Sequence, residues 1–221
     1  MDATPQAGPS RKISAIEFVL GTALVLGHNV WRVLPNEVVI LAIAGLVSVR
    51  MREGGWAALG FRRPASWLRV VLIAMAAAAL RILVSDPIES VLTQYWPAPV
   101  APSVVTSGPH DLQWLATILL LVWTFAAFGE EIAYRGYLTL RAADALGGSR
   151  GAWIAATFAA AVLFGLGHFY KGPVGMVDSG VAGLILGTAY LLSGRCLWTT
   201  ILAHGLIDTA GVMLLYFGLA D

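Results

Sequence analysis

Residues 115–137 read LATILLLVWTFAAFGEEIAYRGY, and this stretch decides what kind of chain it belongs to. From Leu115 to Phe128 the residues are apolar apart from Thr117 and Thr124. The run then passes, with no turn signal, into Glu130, Glu131 and Arg135. Charge in hydrocarbon is expensive, about 2.5–3.5 kcal/mol per residue on insertion scales, so an ionisable group in a membrane-length apolar segment marks a functional site. Three such groups within six positions need partners.

Outward from this stretch the whole chain has the same character. Of its 221 residues 58% are hydrophobic and 12% charged, and its mean hydropathy is +0.76. Ordinary soluble domains carry about 25% charged residues. Too little polar surface exists here to cover the outside of a soluble domain, and several runs approach the roughly 20 residues that cross a bilayer core. The sequence therefore predicts an all-α, polytopic transmembrane bundle. A net charge of +1, with no basic patch interleaved with aromatics, excludes a nucleic-acid partner. The one cysteine, Cys196, allows no internal disulfide and no cysteine metal cluster. Arg11 and Lys12 ahead of an apolar stretch look like the start of a signal peptide. Glu17 interrupts that stretch and no small-x-small cleavage site follows, so an uncleaved first helix is expected.

Seven helices are expected, at about 13–32, 37–49, 68–84, 111–146, 151–170, 174–192 and 197–219, after a mobile tail at 1–10. Arg50, Arg52, Arg62, Arg63 and Arg69, with Trp56 and Trp67 among them, describe a basic interfacial loop. Residues 85–110 hold half of the prolines and no Lys or Arg, with a short surface helix expected at 87–95. Gly147-Gly148-Ser149 marks the turn after the fourth helix. Gly183 and Gly187 form a GxxxG that admits a neighbouring backbone. With the N-terminus cytoplasmic, nearly all loop cations fall inside; Arg32 and Lys171 fall outside, and Arg81 and Arg135 lie in or near the membrane. Organisation is expected as N-terminal helices over 1–110 and a catalytic helical core over 111–221, in one structural domain.

Spacing organises the chemistry. Glu131 and Arg135, four apart, share a helix face and can pair; Glu130 points roughly 100° away from Glu131. His204 and Asp208 are also four apart, so the carboxylate can fix the imidazole's orientation. At about 1.5 Å per residue, Glu131 and His168 lie level on antiparallel neighbours. His204 comes level only if the hairpin of helices four and five projects beyond the bilayer, so helix seven is the weakest part of the convergence. Two acids and two histidines without a placed serine or cysteine point to activated water rather than a covalent acyl-enzyme. A zinc site of Glu130, His168 and His204 is chemically possible, but no HExxH spacing favours it.

Glu130-Glu131-x-x-x-Arg135, Phe164-x-x-x-His168 and His204-x-x-x-Asp208, in this order, resemble the three motifs of the CPBP (Abi) family of intramembrane CAAX-type proteases. Gly60-Phe61-Arg62-Arg63-Pro64 is similar to a frequent family feature ahead of the core. The resemblance covers about 113–213 and implies a glutamic endopeptidase without a required cofactor, acting on a membrane protein or peptide at the bilayer. It implies that Glu130 activates water with His168, that His204 with residue 208 stabilises the oxyanion, and that Glu131 and Arg135 brace the site. The family accepts Asn or Asp at 208. Asp donates no hydrogen bond unless protonated, so Asp208 is expected to orient His204, leaving His204 as the donor.

Each feature alone has a plainer explanation: a structural ion pair for Glu131 and Arg135, satisfied core histidines, a helix-to-helix hydrogen bond for Asp208. Together on three helices they call for a hydrated cavity. His28 with Asn29, His110, Asp178 near an outer surface, and Arg81 snorkelling are read as non-catalytic. Two other functions fit the same residues: a catalytically silent scaffold or bacteriocin-immunity-type protein, and an ion pathway. The absence of repeats counts against the pathway. The composition is that expected of a bacterial inner-membrane protein.

Overall fold

The fourth helix crosses the middle of the bundle and packs against the first, second, fifth and seventh. In a computed structural model that describes residues 11–98 and 111–219, the chain forms seven helices among the described residues. They are α1 (Arg11–Asn29), α2 (Glu37–Glu53), α3 (Trp67–Leu92), α4 (Leu112–Ala145), α5 (Arg150–Leu166), α6 (Gly172–Leu192) and α7 (Leu197–Tyr216). One-turn 3₁₀ segments at Trp56–Leu59 and Phe169–Lys171 join α2 to α3 and α5 to α6. The tail at 1–10 and His110 lie outside the described residues. The chain is an integral membrane protein: α3, α4, the segment Phe169–Leu192 and α7 are each long and apolar enough to cross a bilayer, and α5 is a shorter apolar helix.

Local chemistry sets most of the helix starts. Asn36 caps α2, its Oδ1 accepting from the backbone N–H groups of Val38 and Val39. Ser66 caps α3, Asp111 caps α4, and Ser149 caps α5 in the same way. Gly147 and Gly148 turn the chain at φ of 92° and 71°, a left-handed region that side chains disfavour, just ahead of that serine cap.

Two elements depart from the sequence pattern. The expected surface helix at 87–95 is the end of α3, which winds through Pro87 to Leu92. A proline removes one backbone donor and usually ends a helix, which is why the pattern placed a boundary there. The other departure is inside α4. Between two ordinary α-helical ends, Val122–Leu138 winds as a π-helix, with i→i+5 bonding, and this segment carries both glutamates and Arg135. π-Helical turns occur preferentially at functional sites.

Small residues govern how closely the helices approach. A Cβ at Gly45 on α2 would lie 2.8 Å from the Tyr137 side chain on α4, and one at Gly21 on α1 would strike Leu138. Gly183 and Gly187 of α6 meet Ala161 and Thr157 of α5, so the expected GxxxG contact is the α5–α6 seam. On the other flank, α3 and α7 pack through Ala74, Ala77 and Ala203. Phe61 of the Gly60-Phe61-Arg62-Arg63-Pro64 segment packs at 5.6 Å from the Phe128 ring and 5.2 Å from Trp198, and Leu197 N–H donates to Gly60 O at 3.1 Å.

At one end of the bundle Arg141, expected to mark a projecting hairpin, is fully buried. It pairs with Glu17 of α1, with Glu53 of α2 at 2.7 Å, and with Asp144 at 3.3 Å. Arg52 adds a pair to Glu17 at 2.9 Å. The cations counted there as loop residues are thus the clamp that ties α1 and α2 to α4.

Candidate active site

Glu131 lies on the π-helical stretch with no solvent exposure. Its Oε1 accepts from Arg135 Nη1 at 2.8 Å and from His204 Nδ1 at 2.8 Å. The expected i,i+4 pair is present. The tightest link to α7, however, is the one that residue counting made weakest. A coil with i→i+5 bonding holds more residues per unit length than an α-helix, so the 1.5 Å rise overstates the distance of Glu131 from the α4–α5 turn. That accounts for a small part of the separation; the contact itself shows Glu131 and His204 at one level.

His204 is held between two carboxylates. Its Nδ1 faces Glu131, and its Nε2 lies 3.5 Å from Asp208 Oδ2. The shorter contact is to Glu131, so the group that orients the ring most closely is not Asp208, as the spacing of His204 and Asp208 had implied, but the second glutamate.

His168 sits just past the end of α5, where the helix gives way to the 3₁₀ turn. The Phe164 carbonyl is 2.8 Å from its Nδ1. A carbonyl only accepts, so Nδ1 carries the hydrogen and Nε2 is left with a lone pair in the neutral ring. The Phe164 side chain joins the parts of the site. Arg135 stacks 4.2 Å from its ring centroid, and the rings of Tyr134, His168 and His204 lie at 5.1, 4.8 and 6.1 Å. Phe164 therefore has two jobs in the motif: its carbonyl fixes the tautomer of His168, and its face supports the cation that pairs with Glu131.

Glu130 points away from Glu131, as the spacing required. It lines a cavity of about 280 Å³ whose wall includes His168, His204, Asp208, Phe164 and Tyr170. Glu130 Oε2 is buried and has no hydrogen-bond partner among the described residues. Of the expected site residues, Glu130, His168, His204 and Asp208 lie on the cavity wall, and Glu131 and Arg135 lie outside its lining.

Three further charged residues line this cavity that the sequence reading left outside the site. Arg81 of α3 pairs with Asp178 of α6 at 2.5 Å, and both line the cavity with Lys171. Arg81 does not snorkel, and Asp178 does not face outward. This pairing could not be read from spacing, because 97 residues separate the partners. Lys171 packs against the Tyr170 ring at 5.8 Å and has no carboxylate within ion-pairing distance among the described residues. No three His, Cys, Asp or Glu side chains among the described residues are grouped closely enough to hold a metal ion.

Residues 112–210 match the family model for type II CAAX prenyl endopeptidase, Rce1-like. No curated protein and no solved structure matches the chain. The matched segment contains all three motifs and every one of their charged and imidazole groups. That match, over just under half of the chain, falls on motifs that meet on one cavity, and there the chain is similar to the type II CAAX prenyl endopeptidases.

Proposed function

We propose that this chain cleaves a peptide bond of a membrane-associated protein or peptide, with Glu130 and His168 activating the attacking water. A water held at Glu130 gives up a proton as its oxygen adds to the scissile carbonyl carbon. His204 donates from Nε2 to the carbonyl oxygen as it becomes negative, while Glu131 accepts at Nδ1 and holds the ring. The proton taken from water then passes to the amide nitrogen, the C–N bond breaks, and an amine and a carboxylate leave. Glu131 and Arg135 hold the His204 ring. The carrying observation is that Glu130 presents a buried, unpartnered oxygen at a cavity shared with His168, His204 and Asp208.

Lys171, which has no carboxylate within ion-pairing distance among the described residues, lines the same cavity. It suits a substrate whose negative group, such as a chain-terminal carboxylate, lies near the bond being cut. The setting fits a bacterial inner membrane.

Comparison of membrane-protein termini from cells carrying wild type or Glu130→Ala tests the reaction. New termini are expected only with the wild type, and Glu130→Ala and His168→Ala are expected to accumulate as folded, inserted protein without cleavage. Cleavage by either variant removes this mechanism. Activity that vanishes on chelation and returns with zinc would replace it with a metal-dependent hydrolysis through Glu130, His168 and His204.

A further inference from the structure

Glu37 opens α2, outside the matched segment 112–210, and belongs to none of the three motifs. A carboxylate in the first turn of a helix is well placed electrostatically even when it faces water. This one is turned inward and is 3% exposed. Its Oε1 accepts from Asn29 Nδ2 at 2.7 Å and from the Tyr134 hydroxyl at 3.3 Å, and its Oε2 lies 3.5 Å from His28 Nε2.

The Tyr134 end of this chain of contacts reaches the active site. Tyr134 is on the π-helical segment, 2% exposed, with its ring edge-on to Phe164 at an interplanar angle of 89°. Its hydroxyl is pressed against Gly167, where a Cβ would lie 2.6 Å away. Gly167 has φ −61° and ψ −18°, an ordinary right-handed conformation, so glycine is required there for space and not for backbone freedom. The Tyr134 side chain therefore touches the residue preceding His168 and the residue whose carbonyl holds the His168 ring.

We propose that Glu37 and Tyr134 form a positioning pair that fixes His168 against the cavity, so that α2 sets the geometry of a catalytic group on the α5–α6 connection. The inference rests on the proposed role of His168. Neither residue touches substrate: Glu37 holds the phenol, and the phenol holds Gly167 and Phe164. A shift of about 1 Å in a catalytic group lowers turnover about a hundredfold. Loss of the pin is thus expected to lower kcat and leave KM nearly unchanged.

The test measures kcat and KM on a cleaved membrane peptide. Tyr134→Phe and Glu37→Leu are each expected to lower kcat about ten- to a hundredfold, and the double variant to be no worse than the poorer single one. Glu37→Gln keeps an acceptor oxygen for Asn29 and Tyr134 and is expected to restore most of the kcat lost in Glu37→Leu. Gly167→Ala is expected to be poorly active. Adding Tyr134→Phe to it removes the obstructing hydroxyl and is expected to raise activity above that of Gly167→Ala alone, a reversal that general destabilisation does not produce. Additive losses in both double variants, or wild-type kcat in Tyr134→Phe with Glu130→Ala inactive, overturn the pin and leave the reaction mechanism standing. Cleavage by Glu130→Ala overturns the mechanism itself.

Discussion

Arg135 is the residue on which the buried charges depend. It is 2% exposed, its guanidinium donates to Glu131 at 2.8 Å, and its Cζ lies 4.2 Å from the Phe164 ring centroid. Removing one member of a buried ion pair leaves the other charge uncompensated, at about 3–5 kcal/mol. Arg135→Met is expected to destabilise the protein by about that amount, and Arg135→Met with Glu131→Gln by clearly less, measured by thermal unfolding in detergent. Arg135→Lys keeps the charge but loses the planar fork and the stacked face, so stability between the two is expected, with weak activity. The i,i+4 pairing of Glu131 and Arg135 was readable because both residues lie on one helix. The Glu131–His204 contact was not, because its partners stand on different helices 73 residues apart and no local spacing relates them. Arg81 and Asp178 were misread for a similar reason: a lone charge in a long apolar helix says that it needs a partner, not which one.

At the scale of elements, turn and cap chemistry made most helices legible, and tertiary packing decided the exceptions. Ser149 and the glycine pair before it announce α5, whereas nothing local tells α3 to continue through Pro87. The α5–α6 hairpin carries a sharper consequence. A Cβ at Gly165 would lie 2.6 Å from the Met176 carbonyl oxygen, and a backbone atom cannot turn aside as a side chain can. At Gly187 the obstacle is the Thr157 methyl at 2.5 Å, which has a rotamer to change. Overpacking costs about 1–3 kcal/mol. Gly165→Ala is therefore expected at the upper end of that range and Gly187→Ala at the lower. Gly165→Ala should also reduce cleavage, because it adjoins Phe164 and moves α6, which carries Asp178. Unfolding midpoints and turnover of the two variants, compared side by side, check the order; equal effects would mean that the hairpin relaxes as freely around backbone as around side chain.

For the whole molecule, the question is how much of the chain the catalytic segment needs. The family match spans 112–210, and the sequence places every catalytic candidate in the second half. The contacts argue that this half is incomplete alone. Tyr137 and Leu138 of α4 are covered by glycines of α2 and α1, Arg141 has its carboxylates on those helices, and Arg81 reaches the cavity from α3. Residues 111–221 expressed by themselves would leave Arg141 with Asp144 as its one remaining carboxylate partner and the π-helical segment exposed along one side. That fragment is expected to be inactive and unstable. The contacts between the halves are noncovalent packing between helices, which can form after each helix has inserted. Coexpressing residues 1–98 with 111–221 is thus expected to restore cleavage and to let the two fragments purify together. Activity in the 111–221 fragment alone would show that α1 to α3 are dispensable to the site, and with them the part that Glu37 and Arg81 are argued to play.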